Sequence, residues 1–247
     1  MEEGRDAKII MDNHPLKRID YCFLCILLLL FNINGYAQKT ITISDALQPF
    51  LNISSLPAYE TNTKVAQVSS FDTTGGNNDG FNGTYSFIRR NADSSLVIFD
   101  QKGPGVINRI WTPTATSDTF NFYIDDSPRP TLSIAFKDLF SGIVFPFTAP
   151  LCGNAVGGSY CYFPILFNKS CRIEVSAKKI QFHQIQYRLY STGTPVESFS
   201  GRLTEKDRNA LKNIDAIWST SKISPITIKN FGGENIVTAK NEIYLKL

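Results

Sequence analysis

Leu96-Val97-Ile98-Phe99-Asp100-Gln101-Lys102-Gly103-Pro104-Gly105-Val106-Ile107-Asn108-Arg109-Ile110-Trp111-Thr112 is the stretch that decides the fold class. Two runs rich in β-branched and aromatic residues, Leu96 to Gln101 and Gly105 to Thr112, stand on either side of a Gly-Pro break, which is the signature of short strands. The same pattern continues in both directions. Tyr85 to Arg90, Thr119 to Ile124, Thr131 to Phe136, Cys161 to Leu166, Cys171 to Ser176 and Gln181 to Tyr190 are further candidate strands, separated by clusters of Gly, Pro, Asn and Asp. From Thr40 to Tyr190 the chain reads as all-β with hardly a helical period. Many short antiparallel strands in about 150 residues predict a two-sheet jelly-roll sandwich large enough to bury a core.

Beyond Gly201 the period changes. Thr204 and Asp207 have the spacing of a capped helix start, and Leu211, Ile214, Ile217 and Trp218 recur every three or four residues, which predicts one amphipathic helix. Ser224-Pro225 ends that region, Phe231-Gly232-Gly233 makes a turn, and Glu242 to Leu247 reads as a strand with no closing turn.

At the other end, Lys17-Arg18, an apolar run of about 11 residues from Tyr21 to Phe31 and the small-residue site Gly35-Tyr36-Ala37 form a secretory signal. The run is too short for a membrane span, which needs about 20 residues, so positions 1–37 are expected to be removed and the mature chain exported, periplasmic or extracellular, with no membrane association. Three cysteines then remain, Cys152, Cys161 and Cys171, which allow one internal bridge at most. Cys152 with Cys161 is the geometrically easiest pair, whereas the apolar, strand-like surroundings of Cys161 and Cys171 favour three buried thiols. A formal net charge of +3, scattered along the chain, excludes the clustered basic stripe of a nucleic-acid binder. No Cys/His spacing suits a metal, and no cofactor is expected.

Ser69-Ser70-Phe71-Asp72-Thr73-Thr74-Gly75-Gly76-Asn77-Asn78-Asp79-Gly80-Phe81 is too small and polar to pack in a core and too long for a plain turn. Its glycines, amides and carboxylates suit a concave site for a polyhydroxylated ligand, with Asp72, Asn77 and Asp79 as candidate ligand contacts. Strand alternation places Ile107, Arg109 and Trp111 on one face of Gly105 to Thr112. An indole offers a flat surface to sugar C–H groups and a guanidinium offers fixed donors to hydroxyls, so Arg109 and Trp111 join the candidate site; the alternative is a snorkelling Arg109 and a Trp111 packed in the core. Gln184, Gln186 and Arg188 share a face of their strand, which either lines a polar cleft or meets solvent; in the first case Gln184 and Gln186 are the candidate ligand contacts. His183 lies on the opposite, apolar face and reads as a core histidine, which leaves no Ser/His/Asp triad.

Together with that loop, Lys102 to Thr114, Asp138-Leu139-Phe140-Ser141-Gly142, Pro146-Phe147, Gly157 to Ile165, Lys169-Ser170-Cys171 and Gln184 to Arg188 resemble, in order, a bacterial family first catalogued as domain of unknown function 2961 and reassigned as glycoside hydrolase family 172. The resemblance covers roughly Val68 to Tyr190. It implies an all-β, antiparallel jelly-roll sandwich, the first of two tandem rolls, followed by one linker helix. The chain then divides into a signal peptide at 1–37, a lead-in at 38–67, the roll at 68–200, and the linker helix with the truncated start of a second roll at 201–247. The resemblance further implies an exported glycoside hydrolase-like protein for furanosides, arabinofuranose- or fructofuranose-containing glycans, with its catalytic glutamates beyond this chain. No catalytic residue is therefore assigned, and the fragment is expected to be inactive. A carbohydrate is the expected partner, and a truncated second roll would favour homo-oligomers. A non-catalytic glycan-binding or oligomer-forming jelly roll is the alternative. Three departures from the family pattern bear on the site: Phe71 and His183 where tyrosines are usual, and Thr73 where an arginine is usual. Loss of that arginine removes a charge-assisted donor worth about 1.5–3 kcal/mol when buried.

Overall fold

A computed structural model describes residues 39–56, 60–220, 237–239 and 242–244. The signal segment, the Ser224-Pro225 break and the Phe231-Gly232-Gly233 turn lie outside the described residues. In chain order the elements are helix α1 (Ile43–Leu51), β1 (Thr63–Ser69), β2 (Arg89–Arg90), β3 (Leu96–Lys102), β4 (Gly105–Thr112), β5 (Thr119–Ile124) and β6 (Leu132–Ala135). A single-turn helix α2 (Phe136–Leu139) follows, then β7 (Ile143–Val144), β8 (Phe147–Thr148), β9 (Cys152–Ala155), β10 (Gly158–Cys161), β11 (Ile165–Phe167), β12 (Ser170–Val175) and β13 (Gln184–Tyr190). Helix α3 (Glu205–Thr220) and a pair of short strands, β14 (Val237–Ala239) and β15 (Glu242–Tyr244), complete the order.

Two antiparallel sheets build a β-sandwich. One runs β1-β13-β4-β10-β9, with β11 sharing the β10 edge of β4; the other runs β2-β3-β12-β5-β6. Their inner faces are apolar because strand alternation sends Phe120, Phe122 and Ile124 of β5, and Ile185 and Tyr187 of β13, into the same interior. Phe99 of the second sheet meets Tyr187 of the first edge-to-face at 5.2 Å, and Phe120 stacks on Phe136 at 3.8 Å. Each fully buried aromatic of this kind contributes about 1.5–3 kcal/mol. The antiparallel sandwich read from the sequence is therefore the fold, and its sheet order is compatible with a jelly roll.

Four local expectations change. The roll was read from Val68, but β1 begins at Thr63; as an edge strand it leaves Val65 exposed, which hides the alternation. Cys161 to Leu166 is not one strand, because the Phe163-Pro164 step separates β10 from β11. Ile107 does not share a face with Arg109: the β4–β13 register slips opposite Gln186/Tyr187, so Asn108 is an extra residue and both Ile107 and Ile110 turn inward.

The fourth is a helix in the segment read as all-β. Thr42 caps α1 and accepts from the Asp45 N–H, while the Asp45 carboxylate accepts from the Thr42 N–H at 3.0 Å. Ile43 and Leu47, one helical turn apart, are buried beneath it. Helix α1 packs against α3, whose start carries the same capping device: Asp207 accepts from the Thr204 N–H and Oγ1 at 2.9 and 2.7 Å. The other Asp207 oxygen accepts from the N–H and Oγ of Ser44, so one carboxylate ties both helix starts together. Trp218 closes the far end by donating to the Phe50 carbonyl at 3.0 Å. The α3 expected from Thr204, Asp207 and Ile214 spacing is present.

Candidate functional site

The Ser69 to Ser86 loop is folded on the carboxylate of Asp72, which is 7 % exposed. One Asp72 oxygen accepts from the N–H and Oγ1 of Thr74 at 2.9 and 2.6 Å, and the other from the Asn78 N–H at 3.2 Å. Hydrogen bonds from the Thr74 side chain and backbone hold Asp72 below the ordinary carboxylate range, against the opposing push of burial. Asp79 closes the loop from the other side by accepting from the Asp72 N–H. Glycine is required where the chain passes these groups. A β-carbon on Gly76 would lie 2.7 Å from the Asp72 carboxylate, and Gly80 combines φ +80° with close approach to Phe182 and Ser70.

The loop is docked on the end of β13. Ser70 and His183 exchange backbone contacts, with the Ser70 N–H donating to the His183 carbonyl and the His183 N–H donating to Ser70 Oγ, each at 3.2 Å. Between loop and sheet opens a cleft of about 180 Å³ lined by Ser69, Ser70, Phe71, Asp79, Trp111, Phe182, His183 and Gln184. Gln184 and Trp111 are cross-strand partners in it. Gln184 also accepts from the Arg109 guanidinium at 2.9 Å, and Arg109 lies 5.7 Å from the Trp111 ring and 6.0 Å from the Tyr162 ring. A β-carbon on Gly158 would overlap the indole, so that glycine lets Trp111 pack closely against β10.

The structure thus gathers Asp79, Trp111 and Gln184 at one cleft, with Arg109 joined to it through Gln184. Asp72 sits behind the cleft as the loop's organiser. Gln186 is farther along the same face, donating to Gln67 at 3.1 Å, and Asn77 is exposed at the loop tip. Phe71, one of the departures from the family pattern, lines the cleft, whereas Phe182 and Tyr162 have no individual signal in the sequence. Phe182 and Tyr162 each precede or follow a strand by one or two residues, and only the sheet register reveals that they border Trp111 and Arg109. His183 is 2 % exposed, and burial lowers its pKa to about 4, so it is neutral near neutral pH.

Residues 61–207 match the GH172 first beta-sandwich domain. The chain belongs to glycoside hydrolase family 172. The match begins just before β1 and ends in the first turn of α3, so it takes in both sheets, the loop and the cleft. Membership makes this a glycoside hydrolase-like, carbohydrate-related protein. No curated protein matches the chain. Among the described residues, no group of three His, Cys, Asp or Glu side chains could hold a metal ion, and no helix is long and apolar enough to cross a membrane.

Proposed function

We propose that this sandwich recognises furanoside glycans, containing arabinofuranose or fructofuranose, and that it supplies binding and orientation for hydrolysis rather than the acid–base pair. The observation that carries the reading is the Arg109–Gln184 hydrogen bond beside the Trp111 ring at the mouth of the Asp79 cleft. An anchored guanidinium presents its remaining N–H donors to hydroxyls while the indole accepts the apolar face of a sugar ring. Glycosidic hydrolysis needs two carboxyls flanking the bond, about 5–5.5 Å apart for retention and about 6.5–9.5 Å for inversion. Both Asp72 oxygens and one Asp79 oxygen instead accept from loop backbone and Thr74, which suits a rigid recognition wall.

Export to the periplasm or the cell exterior is part of the proposal, supported by the Lys17-Arg18, Tyr21 to Phe31 and Gly35-Tyr36-Ala37 pattern. So is self-association, supported by the exposed apolar side chains Ile143, Phe145 and Val156. Titration of the chain with arabinofuranosyl and fructofuranosyl oligosaccharides tests the central reading. Binding should be weakened about tenfold by Arg109→Ala or Trp111→Ala, one well-placed contact being worth about 1.4 kcal/mol. Equal affinity for pyranosides, or turnover by this chain that Asp79→Asn abolishes, would overturn it.

A further inference from the structure

Cys152 and Cys161 occupy a position in the sheet where two thiols can become one bond. Strands β9 and β10 are joined by a two-residue turn, Val156-Gly157, with φ +51° and +75°, the double positive φ of a type I′ hairpin. The pair flanking such a turn, Ala155 and Gly158, is hydrogen-bonded, and pairs alternate in kind from there. Asn154/Ser159 is therefore non-hydrogen-bonded, Tyr160/Gly153 bonded, and Cys161/Cys152 non-hydrogen-bonded. The next pair obeys the same alternation, because the Tyr162 N–H donates to the Leu151 carbonyl at 2.8 Å. Non-hydrogen-bonded partners have Cα atoms about 4.5 Å apart, within the range of about 4.4–6.8 Å that a disulfide spans.

The side chains agree with the backbone. Both thiols are 1 % exposed, and the Cys152 thiol donates to Cys161 Sγ at 3.4 Å. Cys171, equally buried, lies in the other sheet, on β12. Each thiol is the other's side-chain hydrogen-bond partner, and the Phe163 backbone also bonds to Cys161.

We propose that Cys152 and Cys161 form a cross-strand disulfide when the chain folds in contact with a small-molecule disulfide or a thiol–disulfide oxidoreductase. One cysteine thiolate attacks the external disulfide, giving a mixed disulfide and releasing one external thiolate. The second cysteine thiolate then attacks the protein-side sulfur, the Cys152–Cys161 bond forms, and the other external thiolate leaves. The two cysteine protons end on the two released thiolates, and the two electrons reduce the external disulfide to thiols. Burial pushes the Cys161 thiol well up, so the exchange belongs to the open hairpin during folding and not to the closed sandwich. The bond braces the strand whose Tyr160, one residue from Cys161, pairs with Trp111 and whose Gly158, three residues from Cys161, packs against the indole.

The full chain, refolded in oxidised and reduced glutathione, alkylated under denaturing conditions and digested with trypsin, tests this directly. Asp138 to Lys169 contains no lysine or arginine before its last residue, so both cysteines fall in one peptide. That peptide is expected lighter by two hydrogen atoms and without alkyl groups, while Ser170 to Arg172 carries alkylated Cys171. Cys171→Ser should leave the loss intact. Alkylation of both Cys152 and Cys161 after refolding to a native spectrum, or a bridge from either to Cys171, would overturn the proposal.

Discussion

Two buried aspartates organise opposite kinds of structure with the same chemistry. Asp72 and Asp207 are 7 % and 4 % exposed, and each accepts backbone and hydroxyl hydrogen bonds. In both, hydrogen bonds leave the pKa below the usual range although burial alone would raise it. They differ in reach. The side-chain partners of Asp72, Thr74 and Asn78, lie two and six residues away, whereas Asp207 also holds Ser44, 163 residues distant in the chain. A carboxylate with local partners shapes a loop; one with a distant partner joins two elements and carries global stability.

The largest effect should follow from cutting the long-range node. Asp207→Ala removes the cap of α3 and strands the buried Ser44 donors, and should cost about 3 kcal/mol in denaturant unfolding. Sugar affinity at saturating folded fraction should stay unchanged, and a specific loss of affinity would break the distinction between the two aspartates.

Acid should separate the two ends. His183, packed behind the Asp72 loop, has a folded pKa depressed from 6.5 to about 4, so the unfolded chain binds the proton more readily between those values. The native state's advantage from keeping this imidazole neutral is complete above pH 6.5 and declines by up to about 3 kcal/mol as pH falls toward 4. The Asp207 contribution, from a lowered carboxylate, is retained there and lost only as pH drops through its depressed folded pKa. Stability against pH should therefore fall in two stages, and His183→Leu should remove the first. A single stage unaffected by that substitution would contradict the buried neutral imidazole.

Asp72→Asn should lower the thermal midpoint less than Asp207→Ala does, while reducing furanoside affinity about tenfold through loss of loop shape. Titration alongside melting reads both; equal affinity with a large midpoint drop would make Asp72 a stability node like Asp207. The smallest effect is expected outside either network. Val156 holds φ +51° with a β-branched side chain, so Val156→Asn should stabilise by about 0.5–1 kcal/mol and leave affinity alone.

Much of this was written in local pattern. The strands β3, β4, β5 and β12 follow from short runs of Val, Ile and Phe between Gly, Pro and Asp, since such apolar runs are legible from neighbouring residues alone. Helix α3 followed from Thr204, Asp207 and the spacing to Ile214. Helix α1 had its signal too, the Thr42/Asp45 box with Ile43 and Leu47, but it is short and contains Pro49, which masked the period.

What the sequence determined by itself was the all-β character, the glycine-rich loop and the residue types able to meet a sugar, because these depend on backbone preference and side-chain chemistry at fixed positions. Tertiary structure alone decided which of them meet. The bulge at Asn108 turned Ile107 inward and left Arg109 beside Trp111, cross-strand register brought Gln184 to both, and Asp207 reached Ser44 across nearly the whole described chain. Those choices rest on strand register and on contacts between distant segments, and neither is encoded in any window short enough to be read by period or composition.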